Sequence, residues 1–275
     1  MSTTNGPGME RADALALLKT HLANDRLVGH CVATEAIMRA LAPKFDADPN
    51  VWGLAGLLHD LDFEETGEDE TRHAEVAAER LTALGVSPEV VNAIRKHNAE
   101  GLGLQRETDF EHALTCAETI TGLIVATALV YPDQKLASVK PKSITKRMKT
   151  AHFARAVSRE RIRECEAIGI PLSEFVALSL SAMREIAPEL GPLDDWQNTF
   201  YRRFLGPTRC RRRIRAWPQP DEGYNASFPG MDISANRRIQ PGREGEDGPG
   251  GGPARHPRPT RRRTIVSGSP GKGRG

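Results

Sequence analysis

Between Ala12 and Ile186 apolar residues recur three or four positions apart, segment after segment, and no strand-like alternation in twos competes with that pattern. A period near 3.6 places them on one stripe of a helix, whereas a half-buried strand needs a period of two. The pattern predicts an all-α chain, a bundle of seven or more helices over about residues 9–192. Leu15, Leu18 and Leu22 share a stripe in the first helix, residues 12–22. Asn24-Asp25 is a capping signal for the second, in which Leu27, His30, Thr34, Ile37 and Leu41 fall on the buried face until Pro43 ends it. Asp48-Pro49 opens a third, Val51 to Leu61, apolar nearly all round and so central. Further helices are predicted over 73–84, 88–97, 110–130, 158–168 and 171–186, with Gly85, Pro132 and Gly169 as stops. No internal repeat appears.

Charge divides the chain. Residues 202–275 hold 17 of the 38 Lys and Arg and 6 of the 36 Asp and Glu, so this end is basic and the first 201 residues, with 21 against 30, are acidic. The same end holds 13 of the 25 glycines and 10 of the 19 prolines, too few apolar residues in any period to offset chain entropy. The expected organisation is a helical domain at 9–192, then a boundary segment and a disordered Gly/Pro/Arg-rich tail over 193–275. Arg211-Arg212-Arg213 and Arg261-Arg262-Arg263 would attract nucleic acid or an anionic surface by counterion release. The favoured reading is a solvated extension without such a partner. An acidic bundle argues against nucleic-acid binding by the domain itself.

Cys31, Cys116, Cys165 and Cys210 lie far apart with no Cys-x-x-Cys pair, which suits a reducing, cytoplasmic setting. The first residues lack the regions of a signal peptide, and the apolar run 113–130 falls short of a span of about 20 apolar residues. A soluble protein with no membrane partner is expected.

Polar groups inside apolar helices carry the chemistry. His30 sits on a buried stripe, His59-Asp60 closes the apolar run Ala55-Gly56-Leu57-Leu58, and Glu118 interrupts the most apolar long segment. An unpaired buried carboxylate costs several kcal/mol, a cost a cation would remove. One buried histidine is more often a hydrogen-bonded core residue than a ligand; several on different helices favour a metal. His30, His59 and Asp60 offer a nitrogen and oxygen set that suits Mn, Fe, Co, Ni or Zn better than Ca or Mg. His21, His112 and His152 have no obvious polar company, and Asp62, Glu64 and Glu65, which could accept a proton, read rather as a solvated loop.

In order, these pieces resemble the HD domain superfamily of metal-dependent phosphohydrolases, in particular its small bacterial HDIG-type members. The resemblance runs over about residues 12–189 through RLVGHCVATEAIMRALA, GLLHDLDFE, AIRKHN, ETITGLIVATALV and VKPKSITKRMKTAHFARAVSRERI. It implies an HD-domain helical bundle with His30, His59, Asp60 and Glu118 as metal ligands, Glu118 standing where the family usually has aspartate. His73 and His97 match the further ligands of members with a second ion; as residues they read equally well as hydrogen-bonded cleft histidines. One or two divalent ions and a small phosphorylated substrate, possibly a nucleotide, are implied. The expected activity is that of a phosphomonoesterase or phosphodiesterase, with Asp60 as the catalytic carboxylate. Lys142, near a helix start marked by Pro141 and Ser143, and Arg159 are candidates for holding its phosphate, against a reading as ordinary surface bases. The alternative function is a non-catalytic HD-fold binding or scaffolding module.

Overall fold

Proline and capping side chains set where the helices of this computed structural model begin. Residues 6–67, 69–150 and 152–193 are described, and all fall within the unit Met1–Asn225. Twelve α-helices follow in order among them: α1 Arg11–His21, α2 Asp25–Leu41, α3 Pro49–Leu58, α4 Phe63–Thr66, α5 Glu75–Ala83, α6 Pro88–His97, α7 Ala99–Leu102, α8 Asp109–Ala128, α9 Pro141–Met148, α10 Arg159–Ala167, α11 Leu172–Glu185 and α12 Ala187–Leu190. No strand occurs among the described residues. The Asn24 side chain accepts from Arg26 N, Asp48 from Asn50 N and Ser158 from Arg161 N, so α2, α3 and α10 each open on a capped amide. Thr108 and Glu111 complete a reciprocal capping box at α8.

Helix α8 is the axis of the bundle, buried along nearly its whole length and packed against α2, α3, α6, α9, α10 and α11. Helices α2 and α3 meet at a glycine. A Cβ on Gly56 would lie 2.8 Å from the backbone N and Cα of Glu35, a contact no side chain can make without moving the helices. Leu57, Leu58, Ile37, Leu41, Leu114 and Ile120 fill the core between these elements.

Two predicted boundaries shift. The third helix ends at Leu58, not Leu61, so His59 and Asp60 stand in the turns that follow it. The fifth begins at Glu75, not residue 73, because Ala74 is in the left-handed region at φ 71° and interrupts the helix behind His73. Among the described residues no single helix is long and apolar enough to cross a membrane. Cys31, Cys116 and Cys165 are buried thiols outside any disulfide; burial pushes the Cys165 thiol up to about 12. The expected tail lies outside the described residues from 194 onward.

Candidate metal centre

Four helices, one through its second turn and three near their ends, bring one imidazole each to a common point. His30 projects from α2, His59 follows α3, His73 precedes α5, and His97 closes α6. All four are buried, and Asp60 in their midst is fully so.

The outer nitrogen of each ring is already committed. His59 Nδ1 donates to Gly56 O at 2.9 Å and His97 Nδ1 to Ile94 O at 2.5 Å, since a carbonyl only accepts. His73 Nδ1 donates to Asp62 Oδ1 at 2.9 Å. Thr121 gives its one hydroxyl proton to Glu118 O at 2.6 Å, so it accepts from His30 Nδ1 at 2.9 Å. Every Nε2 therefore turns a lone pair inward in the neutral rings. These atoms face in pairs: His30 and His59 at 3.2 Å, His73 and His97 at 3.1 Å.

Asp60 stands between the pairs. Its Oδ2 lies 3.7 Å from His30 Nε2 and 3.5 Å from His59 Nε2; its Oδ1 lies 3.4 Å from His73 Nε2 and 3.7 Å from His97 Nε2. Two lone pairs at such separations repel unless a proton or a cation lies between them. Two nitrogens on one ion at about 2.1 Å are roughly 3.0–3.4 Å apart for cis or tetrahedral angles, so both pairs fit a shared metal. Among the described residues two sets of mutually close ligand atoms result, His30/His59/Asp60 and Asp60/His73/His97. The donor set suits transition ions.

Charge inside the centre is uneven. Burial opposes a charged His73, yet hydrogen bonds and charge from Asp60 and Asp62 outweigh it and lift the ring to about 9. Burial, then the neighbouring charges of His73 and His59, drive His97 well below the usual histidine range.

The remaining expected site residues fall outside the two ligand sets. Glu118 is buried on α8, but its carboxylate accepts from Thr119 Oγ1 and lies 4.0 Å from Arg161 Nη1, and it belongs to neither ligand set. Lys142 is exposed on α9. Arg159 spends its guanidinium on the carbonyls of Ala154, Val157, Arg147, Thr150 and Phe153. Neither basic residue is hydrogen-bonded or ion-paired to the histidines.

Sequence reading missed the residues that orient the candidate ligands. Asp62 is no solvated loop carboxylate: it is fully buried, and its second oxygen accepts from Ala77 N at 2.9 Å. Glu64 accepts from Ala23 N and Asn24 N, and Glu65 pairs with Arg80. His112, expected to lack polar company, bonds Glu164 at 2.8 Å. Asn98 Nδ2 donates to His73 O, and Arg106 to His97 O and to Glu100 and Glu164. The His-Asp-x-Asp spacing around Asp62 was the one available signal.

Residues 27–128 match the family model of the HD domain, from the first turn of α2 to the end of α8. A ribonuclease Y of Opitutus terrae is 32% identical over 118 residues, 42% of this chain and 22% of that protein. A tRNA (cytidine(56)-2'-O)-methyltransferase of Thermoplasma volcanium is 34% identical over 128 residues, 44% of this chain and 37% of that protein. The matched region thus spans only about a fifth to over a third of these relatives. No solved structure matches.

Proposed function

Residues 27–128 form an HD domain, and from that premise we propose that the chain is a metal-dependent phosphohydrolase acting on a nucleotide or another small phosphate ester. The observation that carries the reading is the pair of facing Nε2 couples with one carboxylate reaching both. His30, His59 and Asp60 would hold one ion, and Asp60, His73 and His97 a second. Divalent ions there would supply positive charge to the phosphoryl oxygens and lower the pKa of an attacking water toward about 7.

The chain's own part is orientation and proton handling. Thr121, Gly56, Asp62 and Ile94 fix all four rings with Nε2 inward, which removes the cost of ordering them when the site fills. Asp60 holds the two halves in register and is the carboxylate proposed to take the proton released by the nucleophile. His73 is the most exposed of the four rings, so substrate would enter from its side, past Phe63, whose ring meets it edge-on at 5.5 Å. Lys142 is a proposed phosphate contact on the exposed first turn of α9. Arg159 is less suited, its donors being spent within its own loop.

Metal analysis of the purified chain, followed by phosphomonoester and phosphodiester panels with Mn, Fe, Co, Ni or Zn added, tests the proposal. Metal-dependent release of phosphate or of a nucleotide is expected. A protein that carries metal yet is inert on both panels would instead support the scaffolding reading.

A further inference from the structure

Residues 147–160 carry four strong cations, Arg147, Lys149, Arg155 and Arg159, against a single acid, Glu160. Two of the four are withdrawn from water without a counter-charge. Arg147 is 5% exposed; its guanidinium donates to Ser143 O and lies 5.0 Å over the ring of Phe153, and its Nε has no partner. The half-buried Arg159 reaches only backbone carbonyls, and its Nε too is unpartnered. Among the described residues neither meets a carboxylate at ion-pair distance. Burial lowers the pKa of both, as loss of water around an uncompensated cation should. Buried charges are ordinarily paired, so this segment has a deficit of negative charge.

A cavity of about 490 Å³ opens beside it, lined by Lys149, Arg155, Arg159 and Glu160 among others. Lys149 and Arg155 are exposed there and have no partner among the described residues. Glu160, the one acid of the lining, is engaged by Ser158 Oγ at 3.3 Å. The carbonyl bonds of Arg159 explain the shape: they fold residues 152–157 back around the guanidinium, with Ala154 at φ 45°, beside the opening that Lys149 and Arg155 line.

We propose that this cleft is an anion site for a phosphate group, separate from the histidine centre, in which Lys149 and Arg155 contact the ligand and Arg159 builds the loop. Three cations against one acid in the lining favour a multiply charged anion over a carboxylate, and the planar fork of arginine fits phosphate oxygens. None of the histidines or Asp60 lines the cleft, so binding here does not depend on metal.

The test is calorimetric titration of the full-length chain, stripped of metal with chelator, with inorganic phosphate, pyrophosphate and a single-stranded oligoribonucleotide. Saturable binding is expected in the wild type and should weaken about tenfold or more in Lys149→Gln/Arg155→Gln. That variant should keep the wild-type circular dichroism, melting temperature and metal content. Tighter binding of the oligonucleotide, competed by phosphate, would identify a nucleic-acid backbone as the source; binding of the small anions alone would identify a small ligand. Absence of saturable binding to the wild type, or equal binding by the folded double variant, overturns the assignment. Both outcomes stand apart from the hydrolysis assay, which requires metal.

Discussion

His73 and His97 face each other through Nε2 at 3.1 Å while the opposite nitrogen of each ring donates away, to Asp62 and to Ile94 O. Without metal, one proton on His73 Nε2 satisfies both rings, which agrees with His73 lifted to about 9 and His97 pushed down. The sign follows from linkage. Between about pH 6.5 and 9 the folded metal-free protein binds a proton at His73 that the unfolded chain does not, so stability falls as pH rises through that window. Below about 6.5 the unfolded chain protonates His97 while the folded one does not, so stability falls there too. Chemical denaturation of chelated protein should show this pair's contribution greatest near pH 6.5, with a loss on the order of 2–3 kcal/mol by pH 9. His73→Gln should flatten the alkaline limb.

Asp62 ties the outer nitrogen of His73 to the backbone amide of Ala77, joining the centre to the first turn of α5. Asp62→Asn keeps the shape but replaces one of two accepting oxygens with a donor, so either His73 Nδ1 or Ala77 N loses its acceptor and the ring is less firmly fixed. Removing such a partner typically costs about 10–100-fold in metal affinity. Stepwise metal titration should show the ion at His73 and His97 weakened by that factor and the ion at His30 and His59 little changed. Equal weakening of both would contradict two separable half-sites.

Gly56 has two roles: its missing side chain lets α3 lie against Glu35 of α2, and its carbonyl holds His59. Gly56→Ala would press a methyl to 2.8 Å from the Glu35 backbone. Overpacking of this kind costs about 1–3 kcal/mol. Because α2 carries His30 and α3 leads into His59, the displacement should also open the 3.2 Å pair. The expected result is a lower melting temperature together with loss of the first metal, whereas Gly53→Ala meets the side chain of Arg39, from Cγ to Cζ, rather than backbone and should be milder.

How much of this was legible in the sequence depends on the kind of contact. Helical period and capping residues are local, and they placed α1, α2, α6, α8, α10 and α11 to within about two residues at each end. The candidate ligands His30, His59 and Asp60 stood out in the sequence because burying polar groups in apolar helices is costly and needs a reason. The residues that orient them were not: Thr121 reaches His30 across 91 positions, and Arg106 acts on His97 through a backbone carbonyl that any residue would offer. Asp62 was misjudged because its neighbours Glu64 and Glu65 are surface carboxylates, and only the fold turns it inward. For Arg159 the sequence shows a guanidinium near a helix start, which suggests an anion, and only the fold brings the carbonyls of Phe153, Ala154 and Val157 to its donors.

Asp60 is the only residue common to both ligand sets, so its replacement distinguishes a coupled centre from two independent sites. His30→Ala removes a nitrogen from one pair and should lower metal content by one ion per chain while leaving the other. His97→Ala should do the converse. Asp60→Asn removes the anionic oxygens from both pairs, leaving four neutral nitrogens without the charge that offsets two dications, and should abolish both ions and reduce hydrolysis by at least about 100-fold. Elemental analysis of the three variants beside the wild type gives the count directly. If Asp60→Asn lost only one ion, the carboxylate would belong to a single site, and the shared geometry of its two oxygens would have no part in metal binding.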